Sequence, residues 1–233
     1  MRTKQGVIAK PITLKESKLK FRNLLALLLF SLQLACSNAS TLEWFDASSF
    51  AQLKAKGAVD SGRLPTLNFQ NGVSVDSCPA YLKNSAKSDL LENAVNFSNR
   101  AQYLICDAAA VYSANKEKIK LADVGAVRQI AESLCSQLDL SSFPNSLRQT
   151  ISSSPAVMGK LFNNKARVDN NACIYSDPER NFVLTAIALE RKSGAQPRLM
   201  VWLTDEILDG TYRVYQPLWF TKDKVTGVWI KAD

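Results

Sequence analysis

The period of the apolar residues changes once along this chain, near Lys165, and that change limits the folds open to it. Between about residues 86 and 114, Leu90, Leu91, Ala94, Phe97, Ala101, Leu104, Ala108 and Val111 recur every three or four places, with no glycine or proline among them. This is the repeat of one helix face, and Ser85 or Ser88 is placed to cap its start. Residues 124–138 repeat the pattern with Val124, Val127, Ile130, Ala131, Leu134 and Leu138, behind Asp123 as N-cap. The polar connection at 115–120 is short, which predicts that the two helices are antiparallel neighbours. After residue 165 the period falls to two. Residues 167–175, 182–190, 199–203, 211–220 and 226–230 read as strands, with Val183, Thr185, Ile187 and Leu189 on one face of the second. Asp177-Pro178, Ser193-Gly194 and Asp209-Gly210 mark turns between them. The expected fold is α+β: a helical hairpin with short helices, packed on a four- to five-stranded antiparallel meander.

Smaller elements fill the remainder. Asp46 caps a short helix through Phe50 and Leu53, stopped by Gly57. Leu67 and Phe69, Asn71-Gly72, then Val73 and Val75 spell a β-hairpin. Phe143, Leu147 and Ile151 predict a short helix closed by the serines at 152–154. Ser154-Pro155 predicts an N-cap and first helical residue for a turn through Val157, Met158, Leu161 and Phe162, ended by Asn163-Asn164.

Residues 1–39 have another character. Arg2, Lys4, Lys10, Lys15, Lys18, Lys20 and Arg22 face one acid, Glu16, and precede an apolar run at 24–32 that stays mostly apolar to Ala35. A dozen residues rise about 18 Å, short of the roughly 30 Å hydrocarbon core. A basic leader, a short apolar core and then small residues form the layout of a secretory signal. Two cleavage sites compete. Ser37-Asn38-Ala39 suits a conventional signal peptidase cutting before Ser40. Leu34-Ala35-Cys36 resembles the lipobox of bacterial lipoproteins, with Gln33 where that family prefers leucine. The resemblance implies diacylglycerol on the Cys36 sulfur and cleavage just before it. With Ser37 rather than aspartate next, it also implies the outer membrane. Residues 40–233 are then expected as a single exported domain.

Export changes how the cysteines and the charge are read. Cys78, Cys106, Cys135 and Cys173 remain, an even number in an oxidising compartment and none of them in a C-x-x-C pair, so two disulfides are expected. On an antiparallel helical hairpin Cys106 and Cys135 come to nearly the same height, which favours Cys106–Cys135 and leaves Cys78 with Cys173. The formal charge of +8 is mostly leader: residues 40–233 hold 22 bases and 20 acids. Nucleic acid is not an expected partner for so balanced a surface. The run Lys116-Glu117-Lys118-Ile119-Lys120 reads as a solvated helix end or loop.

The chain has no histidine. This excludes a Ser-His-Asp triad, a Cys-His pair and an H-E-x-x-H site. There is no phosphate loop or dinucleotide fingerprint, and neither a metal nor a cofactor is expected. The acidic stretch 204–210 lacks calcium-loop spacing and reads as a solvated connection ending in a turn. On 211–221, alternation puts Arg213, Tyr215 and Trp219 on one strand face and Tyr212, Val214, Leu218 and Phe220 on the other, while Pro217 marks an edge or a bulge. An arginine beside two aromatics suits a sugar ring or an acidic or peptide ligand, although sheet faces of this kind are more often packed under helices. The expectation is a non-catalytic protein of the cell envelope, anchored to the membrane through Cys36 or soluble in the periplasm. It binds an envelope protein or glycan through its sheet. The alternative is a hydrolase or glycan-modifying enzyme working through two carboxylates.

Overall fold

The computed structural model describes residues 40–56, 63–150, 155–162 and 165–232. The export segment with Cys36, Gly57, Ile151, the serines at 152–154 and Asn163-Asn164 lie outside those residues. The chain divides into Met1–Ala39 and Ser40–Asp233.

The second unit is α+β, as the change of period predicts, with helices first and a meander afterwards. Its strands are β1 (Thr41–Trp44), β2 (Leu67–Asn68), β3 (Ser74–Val75), β4 (Ile119–Leu121), β5 (Ala166–Asp169), β6 (Ala172–Ser176), β7 (Arg180–Arg191), β8 (Arg198–Ile207), β9 (Arg213–Lys222) and β10 (Trp229–Lys231). Its helices are α1 (Ala47–Lys56), α2 (Cys78–Ser85), α3 (Ala94–Asn99), α4 (Leu104–Asn115), α5 (Val124–Gln137) and α6 (Met158–Leu161), with 3₁₀ turns at Arg100–Tyr103, Lys116–Lys118, Leu140–Ser142 and Ser146–Thr150.

The sheet has eight strands rather than four or five, in the order β10-β9-β8-β7-β1-β4, with β6 and β5 beside the first half of β7. Long β7 makes this possible: Ala172–Ser176 pairs with its start and Thr41–Trp44 with its end. Residues 167–175, read above as one strand, belong to two, β5 and β6. Asn170 turns the chain between them at φ 49°, a left-handed conformation that asparagine tolerates better than most residues. The register slips between Ala186 and Ala188. Because of that bulge Ile187 and Ala188 both join one core while Leu189 joins the other, so the single face expected for Val183 to Leu189 is broken.

Both sheet faces are covered. On β8, Leu199, Val201 and Leu203 enter a first core with Ile130 and Leu134 of α5; Met200 enters a second core with Ala108 and Ala109 of α4. Alternate strand residues point to opposite faces, so α4 and α5 lie on opposite sides of the sheet. The helical hairpin expected from the short connection does not form. Part of the connection, read above as solvated, is β4, which pairs parallel to β1 at the sheet edge and carries the chain around it. A third core, with Leu67, Phe69, Tyr81, Tyr103 and Cys106, joins the β2–β3 hairpin to α2 and α4.

The disulfides follow from that crossing. They are Cys78–Cys106, Cα–Cα 5.1 Å, and Cys135–Cys173, Cα–Cα 5.3 Å. The pairing Cys106–Cys135 is ruled out because α4 and α5 have the whole sheet between them, far more than the 4.4–6.8 Å a disulfide spans. Each bridge stays on one face.

Local signals held where the partners were local. The Asp46 carboxylate accepts from the Ser48 and Ser49 N–H groups, and that of Asp123 from Ala126 N–H at 2.8 Å. The expected Asn71-Gly72 hairpin is present, with Gly72 at φ 81°. The helix expected from residue 86 starts instead at Ala94 under Asn93, whose side chain accepts from Asn96 N–H. Residues before it run beside the hairpin: the Asn96 amide bonds both the N–H and the C=O of Asn68 and also the Leu91 carbonyl. Those backbone groups gain partners that a continuous helix would deny them. In place of a helix from Phe143 there is the 3₁₀ turn Ser146–Thr150. Pro155 precedes α6 rather than opening it, since Val157 is the N-cap residue. Gly159 of α6 presses on α5: a Cβ there would meet the Ser136 carbonyl oxygen at 2.6 Å.

Candidate functional site

The β8–β9 hairpin is closed by a hydrogen bond from Ile207 N–H to the Tyr212 carbonyl at 3.0 Å. Its register sets Glu206 opposite Arg213, Thr204 opposite Tyr215, Trp202 opposite Pro217 and Met200 opposite Trp219. All of these face the side of the second core. β10 reaches β9 only at residues 220–222. Ala232 N–H bonds the Trp219 carbonyl, so by alternation the backbone of Arg213, Tyr215 and Pro217 points to the uncovered edge. Pro217 has no N–H to present there, the edge position expected for it.

Two adjoining clefts open where α3 and the following 3₁₀ turn approach the start of β9. One, of about 300 Å³, is lined by Leu90, Leu91, Phe97, Arg100, Arg213 and Tyr215, among others. The other, of about 340 Å³, lies between Ala94, Phe97 and Ser98 on the helix and Gly210, Thr211 and Arg213 on the hairpin. Phe97 and Arg213 belong to both. Leu91 and Val95 are exposed large apolar residues at the same place.

The two arginines are held differently. Arg100 Nη1 donates to the Tyr81 hydroxyl at 2.6 Å, Nη2 lies 3.5 Å from Asp107, and the Tyr81 hydroxyl donates to Asp107 Oδ1 at 3.1 Å. Burial pushes Asp107 above the usual carboxylate range and outweighs the Arg100 charge and the hydrogen bonds, which act the other way. Burial likewise raises Tyr81 to about 12. The charge of Arg100 is therefore committed to its own support. Arg213 is exposed and forms no ion pair within 4 Å among the described residues.

Glu206, opposite Arg213 on β8, accepts a hydrogen bond from Tyr215 of the cleft wall. Burial pushes its carboxyl up, but hydrogen bonds donated by Tyr215 and Asn181, together with the Arg213 charge, outweigh this and hold it below its ordinary value. Burial and the bond to Glu206 raise Tyr215 to about 12. A carboxyl lowered in the folded state stabilises above its unfolded pKa, and that contribution disappears as pH falls through the folded value. Replacing Glu206 by glutamine is expected to lower the urea midpoint at neutral pH, with the gap to the native protein narrowing as pH falls below the ordinary glutamate range. A constant gap would mean that Glu206 acts through packing alone.

Of the three ligand-binding candidates, the structure brings Arg213 and Tyr215 together. Trp219 is elsewhere: it packs against the second core, with the Arg198 guanidinium 4.9 Å over its ring. Phe97 and Arg100 escaped sequence reasoning because they belong to the helical half. Of the acidic stretch 204–210, Leu208, Asp209 and Gly210 form the exposed turn expected, but Asp205 is fully buried and Glu206 is in a strand. No cluster of three or more metal-ligating side chains forms among the described residues. A further cleft of about 360 Å³ lies between α5 and the opposite face. In it Arg191 lies 3.7 Å from Glu43, and Lys222 donates to Gln137 at 3.2 Å and lies over the Trp229 ring.

Compared with known protein families, curated proteins and solved structures, the chain matches none of them.

Proposed function

We infer that this is an exported, non-catalytic protein of the bacterial cell envelope, acylated at Cys36, which binds an anionic glycan or peptide at the cleft between α3 and β9. Arg213 carries the reading. It is a guanidinium without an ion pair among the described residues, at the shared wall of two clefts, where Phe97 lines both and Tyr215 lines one. Such a group supplies charge and a flat stacking surface together. Two disulfides support an oxidising compartment. Among the described residues no helix is long and apolar enough to cross a membrane. The enzyme alternative calls for two convergent acids with raised pKa values. Asp107, which burial holds above its ordinary value, is locked to Arg100 and Tyr81.

The test uses soluble muropeptides, which carry both sugar rings and carboxylates. The native protein is expected to bind them, and Arg213→Ala to weaken binding about tenfold or more, the loss of one charge-assisted contact of about 1.5–3 kcal/mol. Equal binding by both proteins sinks the site. Export is read separately, from the intact mass of the protein in a membrane fraction, with and without reduction before alkylation. A chain starting at Cys36 with acyl mass, and four thiols appearing only on reduction, is the expected result.

A further inference from the structure

One end of the sheet carries charge that the rest of the unit lacks. β1 starts there, with Thr41 opposite Arg191, and β4 starts beside it, with Ile119 opposite Leu42. The turn before β4, the β7–β8 hairpin and the β9–β10 hairpin therefore all lie at the end where the chain enters the unit. Lys118 Nζ reaches the Ser40 hydroxyl at 3.3 Å. Residues 116–118, 191–197 and 222–228 contain Lys116, Lys118, Arg191, Lys192, Lys222 and Lys224 against two acids, Glu117 and Asp223, a net +4. Residues 40–233 as a whole are +2, so the remainder is slightly acidic. Asp223 is turned into its own hairpin, accepting from the N–H groups of Val225 and Thr226 and from the Thr226 hydroxyl. Glu43 and Glu190, part-buried on the strands behind, reach Arg191 at 3.7 Å and Lys192 at 3.1 Å, and both cations stay more than half exposed to solvent. At the tip of the same hairpin, Val225 is 92% exposed beside Lys224.

Cys36 precedes Ser40 by four residues, at most about 14 Å of extended chain. A lipid on that cysteine keeps this basic end within reach of the bilayer. Resting on the acylation reading, we propose that the end docks on anionic phospholipid headgroups, with the lysines over the phosphates and Val225 at the interface. Arg213 begins β9 and Lys222 ends it, nine residues or about 30 Å apart. Docking at the Lys222 end points the Arg213 cleft away from the membrane, towards ligands in the periplasm. The basic loops would then fix orientation, a role distinct from ligand binding.

The test uses Ser40–Asp233 exported behind a conventional signal peptide, with both disulfides verified by mass. It is sedimented with vesicles of phosphatidylcholine alone and of an equimolar mixture with phosphatidylglycerol. Binding is expected only to the mixed vesicles and to fall at high salt. Lys192→Glu with Lys224→Glu is expected to lower partitioning about 25-fold, from about fivefold per basic residue removed. Lys165→Glu with Arg167→Glu makes the same charge change at the far end, beside the Tyr175 end of β6, and is expected to alter binding less than about twofold. Equal binding to neutral vesicles, or equal loss from both double variants, overturns the proposal. Vesicle discrimination by a protein whose native form has no acyl mass would keep the headgroup surface and discard the anchor. Acyl mass without discrimination would discard the docking.

Discussion

Removing the Cys135–Cys173 bridge by replacing both residues with alanine is expected to cost about 4 kcal/mol of stability, the chain-entropy value for a closed loop of this size. The loop spans 38 residues and ties α5 to β6 at the first core. Cys78–Cys106 closes 28 residues and ties α2 to α4, for about 3.5 kcal/mol. Together these approach the whole stability of an ordinary domain, about 5–15 kcal/mol, so a reductant alone is expected to unfold much of the protein. Urea midpoints before and after reduction measure this. Proteolytic fragments joined as 78–106 and 135–173 are expected on mass analysis; a 106–135 pair would contradict the placement of α4 and α5 on opposite faces.

Asp205→Ala is the second large effect, a loss of about 3–5 kcal/mol. Asp205 is fully buried at the far end of β8. Its carboxylate accepts from Ser146 N–H at 2.7 Å, from the Ser146 hydroxyl and from the Tyr212 hydroxyl at 3.1 Å. These bonds pin the 3₁₀ turn Ser146–Thr150 over the sheet and hold the β8–β9 hairpin next to the cleft. Alanine leaves the two buried Ser146 donors and the part-buried Tyr212 hydroxyl without that acceptor, at about 1 kcal/mol or more for each buried donor. Tyr212→Phe and Ser146→Ala each remove one hydroxyl donor of the same network, so each is expected to cost about 1–2 kcal/mol and to be non-additive with Asp205→Ala. A loss under 1 kcal/mol for Asp205→Ala, read by urea unfolding, would show that the carboxyl is not the acceptor these groups depend on.

Asp205 shows where the sequence stopped informing. Its neighbours Thr204, Glu206 and Asp209 make the stretch look solvated, and only the arrival of Ser146 from 59 residues away buries it. Phe97 and Arg100 entered the cleft by the same route, brought from the helical half against a strand more than a hundred residues later. A local signal for α2 does lie in Ser77-Cys78-Pro79, with proline in the first helical turn.

What the sequence determined by itself was whatever a residue settles with near neighbours. Asp46 and Asp123 cap helices through N–H groups two or three places on, and Asn71-Gly72 turns a hairpin within five residues. The alternation in residues 211–221 put Arg213 and Tyr215 on one face whatever lay above it. Tertiary structure alone decided what depends on partners far along the chain. β1 and β4 are too short to announce themselves and exist because the sheet edge completes their hydrogen bonds. Their pairing sends α4 and α5 to opposite faces, and that crossing selects which cysteines meet. It also collects the basic loops beside Ser40 and leaves Arg213 at the other end. Local periodicity encodes which face of an element is apolar, but the identity of the surface it meets is set by long-range packing.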